Sequence, residues 1–308
     1  MRIVGLFFLF SFSFCFSQNY EQVDATIQLY PERVNSAEEL SRFITRDFKT
    51  EDDKVRAIYS WLIKNVAYDP DEYKQFDYSF KNYRDRNQKE EKTRAKIIQR
   101  TLSKGIAVCE GYAMVFERLC QLQGMDNYLV RGDIKTSFDD IGRPFKTVHM
   151  WNIVIIDGKA HLFDATWGAG KYNGKFIKEP NYFFYKTPPH LFVKTHFPTQ
   201  QEDTLLKEQI TKEQFASWPI IIAPKLPLDA IENPVNGIIS SENLLGEINF
   251  SIKLDSEQAI SYSYGNTKTP IETTKENGMT TFTIPIELGQ ENLLIYFNDT
   301  PALAYKVK

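Results

Sequence analysis

Cysteine and histidine are scarce in this sequence, three and four among 308 residues, and the scarcity narrows the chemistry open to it. A metal centre needs three or four Cys, His or carboxylate ligands at short spacing, and neither CxxC nor HExxH occurs. Glycine-rich phosphate loops are missing, which removes the usual nucleotide-binding motifs, and no cofactor is expected. Nucleic acid finds no basic excess: Lys and Arg number 37 against 40 Asp and Glu, a net charge of -3 with both signs spread along the chain. There is no internal repeat and no low-complexity tract. After the first residues no stretch approaches the roughly 20 apolar residues of a membrane span.

The opening MRIVGLFFLFSFSFCFSQNY carries one early charge, Arg2, and then an apolar and serine run. It reads as a secretory signal peptide over residues 1–17, cleaved after Ser17, because Cys15 and Ser17 fit a small-x-small site. Phe14 stands where lipid attachment wants a small side chain, so a lipoprotein is disfavoured. The expectation is a secreted or periplasmic chain without a transmembrane segment. Cys109 and Cys120 would survive cleavage. On one helix their α-carbons lie about 16 Å apart at roughly 1.5 Å per residue, beyond the roughly 7 Å that a disulfide spans.

The pattern beyond the leader predicts helices and strands together. Ser36 and Glu39 are spaced as a capping box ahead of a helix. In VRAIYSWLIKNVAYD, apolar residues at steps of three and four predict an amphipathic helix. The polar, tyrosine-rich stretch 68–95 shows no clean period and reads as a surface excursion. From Cys109, residues Tyr112, Ala113, Phe116, Leu119 and Cys120 form one helical stripe, closed by Gly124. NYLVRGDI predicts a strand, TSFDDIGRPFK a loop, and VHMWNIVII with KAHLFDATW a hairpin turning at Asp157-Gly158. Residues 197–218 read as charged and partly helical, with Thr211 and Gln214 as a second capping box. Beyond Pro219, short strands at regular spacing predict a small β-sandwich.

A tight turn at Asp157-Gly158 pairs residues whose numbers sum to 315. His149, Trp151, Asp164 and Thr166 then share one ribbon face, with His149 diagonal to Asp164, while His161 points away. His190 and His196, in a proline- and aromatic-rich segment without partner spacing, read as structural. A nucleophilic cysteine needs its thiolate stabilised by an adjacent His⁺ and by a helix N-terminus. Cys109 opening a helix, with His149 oriented by Asp164, meets that requirement. Taken alone, a lone cysteine in an apolar stretch is more often a small buried side chain, and Cys120 fits that description. The coincidence of the three residues is what separates Cys109 from it.

The stretches VRAIYSWLIKNVAYD, AVCEGYAMVFERLCQLQGM, VHMWN and HLFDATWGAG together resemble the transglutaminase-like superfamily. DATWGAG with NYFFYKTPPHLFVKTHFP resembles the branch that contains kyphoscoliosis peptidase and bacterial relatives. The resemblance covers roughly residues 36–220 and implies an α+β fold with a papain-like core. Matched position by position, it puts the nucleophile at Cys109, the base at His149 and the orienting acid at Asp164. The polar insertion at 68–95, and Glu110 where a small residue is common, depart from the family pattern. The expected organisation is a signal peptide (1–17), an N-terminal segment (18–35), a transglutaminase-like domain (36–220) and an immunoglobulin-like β-sandwich (221–308). The expected activity is that of an exported cysteine hydrolase or acyltransferase on peptide or amide substrates, with hydrolysis ranked above cross-linking. A non-catalytic envelope binding protein, with the β domain contacting a partner, is the alternative.

Overall fold

The computed structural model describes residues 20–75, 83–240, 246–287 and 289–308, so the expected signal peptide lies outside the described residues. Five helices lead the fold: α1 (Tyr20–Ile27), α2 (Ala37–Asp47), α3 (Glu51–Asn65), α4 (Tyr83–Lys104) and α5 (Cys109–Leu122). Ser36 caps α2 by accepting from the Glu39 N–H at 3.2 Å. The expected box is only half made there, because the Glu39 carboxylate reaches one residue further back, to the Asn35 N–H at 2.8 Å. The second box is complete, with Thr211 and Gln214 bonding each other's backbone at the start of Lys212–Ser217.

Helix α3 is the hub of the packing. Val55, Ile58, Trp61 and Leu62 are fully buried among α2, α5 and α1. Arg56 ties α1 down through a bidentate pair with Asp24 (3.0 and 2.6 Å) under the ring of Tyr182, 3.5 Å away. The expected excursion at 68–95 is corrected in its second half, where α4 begins at Tyr83. Glu, Lys and Arg are strong helix formers, but a helix mostly exposed over residues 89–96 has little apolar stripe to betray its period.

Two short parallel strands, β1 (Ala67–Tyr68) and β2 (Ile106–Ala107), fasten the chain just before α5. The main sheet is antiparallel. Its members are β3 (Asn127–Ile134), β4 (His149–Ile156), β5 (Lys159–Phe163), β8 (Tyr185–Thr187) and β9 (His196–Pro198), in the order β8-β5-β4-β3-β9, while β6 (Gly170–Asn173) and β7 (Lys175–Lys178) form a separate hairpin. The register of β4 and β5 is the expected one, from Ile156↔Lys159 to Asn152↔Phe163. Asp157 and Gly158 both take positive φ (50° and 73°), as a type I′ turn demands. The second strand is shorter than expected, since a short helix, α6 (Ala165–Ala169), begins right after Asp164.

The loop after β3 is not loose. Arg143 forks onto Asp133 (2.8 and 2.6 Å) and also reaches Asp140 at 2.7 Å. Helix α5 lies against β4, where the Asn152 amide donates to the Ala113 carbonyl at 3.0 Å.

The C-terminal region is mostly antiparallel strand, in two sheets. The first includes 220–221, 260–263, 292–297 and 300–307; the second includes 231–233, 247–253, 274–276 and 279–285. Alternating inward residues such as Ile248, Phe250, Ile284, Ile295 and Leu303 form one core between them. Two buried lysines grip the connecting segment. Lys135 donates to the carbonyls of Ala216 (3.1 Å) and Trp218 (2.6 Å), and Lys194 to those of Ala223 (3.0 Å), Pro224 (2.8 Å) and Leu226 (2.9 Å).

Candidate active site

Cys109 is the first residue of α5, preceded by Val108 in extended conformation as the cap. The first N–H groups of a helix have no intrahelical acceptor, so α5 presents donors and the positive end of its dipole at the sulfur. Cys109 is packed among Ile97, Ala113, Met114 and Met150, and only 4% of its surface is exposed. Cys120 lies two turns or more along the same helix, fully buried, and burial pushes its thiol well up. Both cysteines are free.

His149 opens β4, and its Nε2 lies 2.7 Å from Asp164 Oδ2. Asp164 ends the β5 run and caps α6, its Oδ1 accepting the N–H groups of Thr166 (2.7 Å) and Trp167 (3.1 Å). One carboxylate therefore serves as a helix cap on one oxygen and orients the imidazole with the other. Thr166, expected opposite His149 on the ribbon, instead turns into α6. With Nε2 engaged, Nδ1 is the ring nitrogen left for Cys109, which lies close enough to raise the ring's proton affinity.

Burial by itself would strip the proton from His149. The Asp164 charge and hydrogen bond, aided by Cys109, outweigh it and push the ring up to about 10. Burial likewise opposes ionisation of Asp164, but the His149 charge and the hydrogen bonds from His149 and His196 hold its carboxyl well below the usual range. A raised histidine pKa stabilises the fold fully below the unfolded value near 6.5, and the contribution is lost as pH rises through about 10. The stability gap between wild type and His149→Ala, read from urea midpoints, is accordingly expected to be widest at pH 6 and to shrink steadily toward pH 10. A gap that grows with pH would contradict the ion pair.

Two neighbours were not legible as site residues. His196 is reassigned from a loop residue to a partner of Asp164: it opens β9, is 1% exposed, and puts Nε2 3.0 Å from the same Oδ2. Its own segment shows no spacing to the hairpin. Only the pairing of β9 on the far side of β3 brings it in, where Gly132 lies between His149 and Pro198. A Cβ at Gly132 would sit 2.2 Å from the Phe197 carbonyl oxygen, so that approach needs glycine. Tyr73, within the 3₁₀ turn Pro70–Gln75 of the insertion, brings its phenol against Cys109; burial and the adjoining sulfur and Glu110 raise its pKa well above the usual value. Glu72 beside it is fixed to Arg100 by two contacts of 2.5 and 2.9 Å. Glu110 pairs with Arg131 at 3.2 Å. His190 and His161 stay out of the cluster.

The ligand atoms of His149, Asp164 and His196 lie within 4.8 Å of one another, a spacing that also suits a cation. An ionised Asp164 can only accept, so in the metal-free site both rings turn an N–H toward Oδ2 at hydrogen-bond distance.

Residues 38–165 match the transglutaminase-like superfamily. Kyphoscoliosis peptidase of Homo sapiens is 30% identical over 206 residues, covering 64% of this chain and 28% of that protein. Kyphoscoliosis peptidase of Mus musculus is 29% identical over 201 residues, with the same two shares of 64% and 28%. The chain thus spans little more than a quarter of the length of these relatives. A solved TGase structure shares 18% identity over 57% of this chain and 40% of that one, with a TM-score of 0.30.

Proposed function

We propose that the chain, whose residues 38–165 match the transglutaminase-like superfamily, is an exported cysteine hydrolase acting on peptide or amide bonds through Cys109, His149 and Asp164. The observation that carries this reading is the 2.7 Å contact of His149 Nε2 with Asp164 Oδ2, which leaves Nδ1 toward a cysteine at a helix N-terminus. At neutral pH the ring rests protonated, and an imidazolium beside sulfur favours the thiolate. The thiolate attacks the substrate carbonyl carbon, forming C–S while the π pair moves to oxygen. N–H groups at the start of α5 receive that charge. Collapse breaks C–N, and the departing amine takes the Nδ1 proton. Water then gives a proton to Nδ1 as its oxygen attacks the thioester; C–O forms, C–S breaks and the acid leaves.

Water as acceptor is preferred over a second amine because no built amine site accompanies the cysteine among the described residues. In the same reading residues 1–17 are a removed leader, 36–220 the catalytic domain and 221–308 an immunoglobulin-like domain available to an envelope partner. One observation favours a second reading, a non-catalytic scaffold: Cys109 and His149 are 4% and 7% exposed, with Tyr73 set over the sulfur.

Intact-mass analysis after incubation with a pool of peptide amides separates the two. An acyl adduct on Cys109, present in wild type or in Tyr73→Ala and missing in Cys109→Ser, is the expected result. No adduct in either Tyr73 background would favour the scaffold.

A further inference from the structure

We infer that His196 is a positioning residue of this site, a second donor that keeps the Asp164 carboxylate aimed at His149. The inference rests on the catalytic reading above and extends it by one residue. An ionised carboxylate only accepts hydrogen bonds, so the 3.0 Å contact of His196 Nε2 with Asp164 Oδ2 requires the proton on Nε2. In the neutral ring Nδ1 then accepts from the Thr195 hydroxyl at 2.8 Å, which holds the far side of the imidazole.

The rest of the ring's surroundings is aromatic. Phe192 stacks on it with centroids 4.2 Å apart, and Trp167, Trp151 and Phe184 lie at 4.5, 5.3 and 5.7 Å. Besides Asp164, the charged group facing it is the protonated His149, 5.5 Å away between centroids. Burial pushes His196 down to about 4. It therefore donates without carrying charge at neutral pH and does not compete with His149 for the role of imidazolium.

Asp164 is 1% exposed, and four donors complete its coordination: two helix N–H groups, His149 and His196. Without His196, Asp164 stays ionised near neutral pH through His149 and the two helix N–H groups, but its carboxylate loses the donor that fixes its rotation, and an anion turned from His149 holds the ring's proton less firmly. His196 thus acts on Cys109 at one remove, through Asp164 and then His149.

The test is an NMR titration of His149 together with the pH profile of Cys109 alkylation by iodoacetamide, in wild type, His196→Leu, His196→Gln and Thr195→Val. In His196→Leu the His149 titration is expected to move down by about one pH unit or more, the alkylation profile following it. His196→Gln, which keeps an N–H donor, is expected to recover at least half of the shift. Thr195→Val removes the hydroxyl that holds the far side of the ring, and should show a smaller shift in the same direction; it answers the question if His196→Leu does not fold. An unmoved His149 titration in all folded variants would overturn the inference. If instead the titration moves while Cys109 of the wild type alkylates like an ordinary thiol at every pH, the positioning role stands and the hydrolase reading falls.

Discussion

Replacing His149 by alanine slows iodoacetamide alkylation of Cys109 at pH 7 by about a hundredfold, the low end of what a positioned acid–base group contributes. Cys120 of the native protein is not labelled on the same timescale, since it is fully buried with its thiol pushed up. The comparison is internal to one chain: two cysteines on one helix, of which only the one beside an imidazolium is expected to react. Peptide mapping by mass spectrometry reads both sites in a single digest. Equal labelling of Cys109 in wild type and variant would show that the ring does not act on the sulfur.

Asp164→Ala is expected to cost about 3–5 kcal/mol of stability, the range for breaking a buried charge pair from one side. Its loss uncaps α6 and leaves the His149 and His196 donors and two backbone N–H groups without an acceptor. Asp164→Asn behaves differently. Asparagine is a good N-cap, so its oxygen can keep the two helix N–H groups and part of the stability should return, while the ion pair with His149 is lost. Its amide nitrogen, however, is a donor facing His149 Nε2, which must then give up its proton and become the acceptor. That turns the imidazole into the wrong tautomer for accepting a proton at Nδ1. The expected pairing of results is a urea midpoint between those of wild type and Asp164→Ala with Cys109 reactivity as low as in His149→Ala. An Asn variant as reactive as wild type would mean that Asp164 serves only the helix.

The difference between the two Asp164 variants also marks what could be read in advance. The tight turn at Asp157-Gly158 fixed the number of residues between strands, and alternation did the rest; the observed register of β4 and β5 is the expected one, and Asp164 does reach His149. The helix cap on Oδ1 was invisible, because ATWGAG carries aromatic and small residues that suit a strand end as well as a single helical turn. The α5 stripe was legible because it is buried nearly all along one side. Helix α4 was not, since its period is written mostly in charged residues. His196 was out of reach for a different reason. Its place depends on strand pairing across 62 residues, from Ile134 to His196, and on the close approach over Gly132, neither of which has a local signature. Tyr73 comes from the insertion where the expected family pattern gave no guide.

The two buried lysines on the connecting segment bear on how the molecule carries load. Their ammonium groups hold five carbonyls between Ala216 and Leu226, and both lysines are anchored in the part of the chain that carries the cysteine site. Tension applied to the C-terminal strands is thus met first by two side-chain amines clamped on five carbonyls instead of by a slack tether, and it passes into the region of β3 and β9, the strands that set His149 and His196 around Asp164.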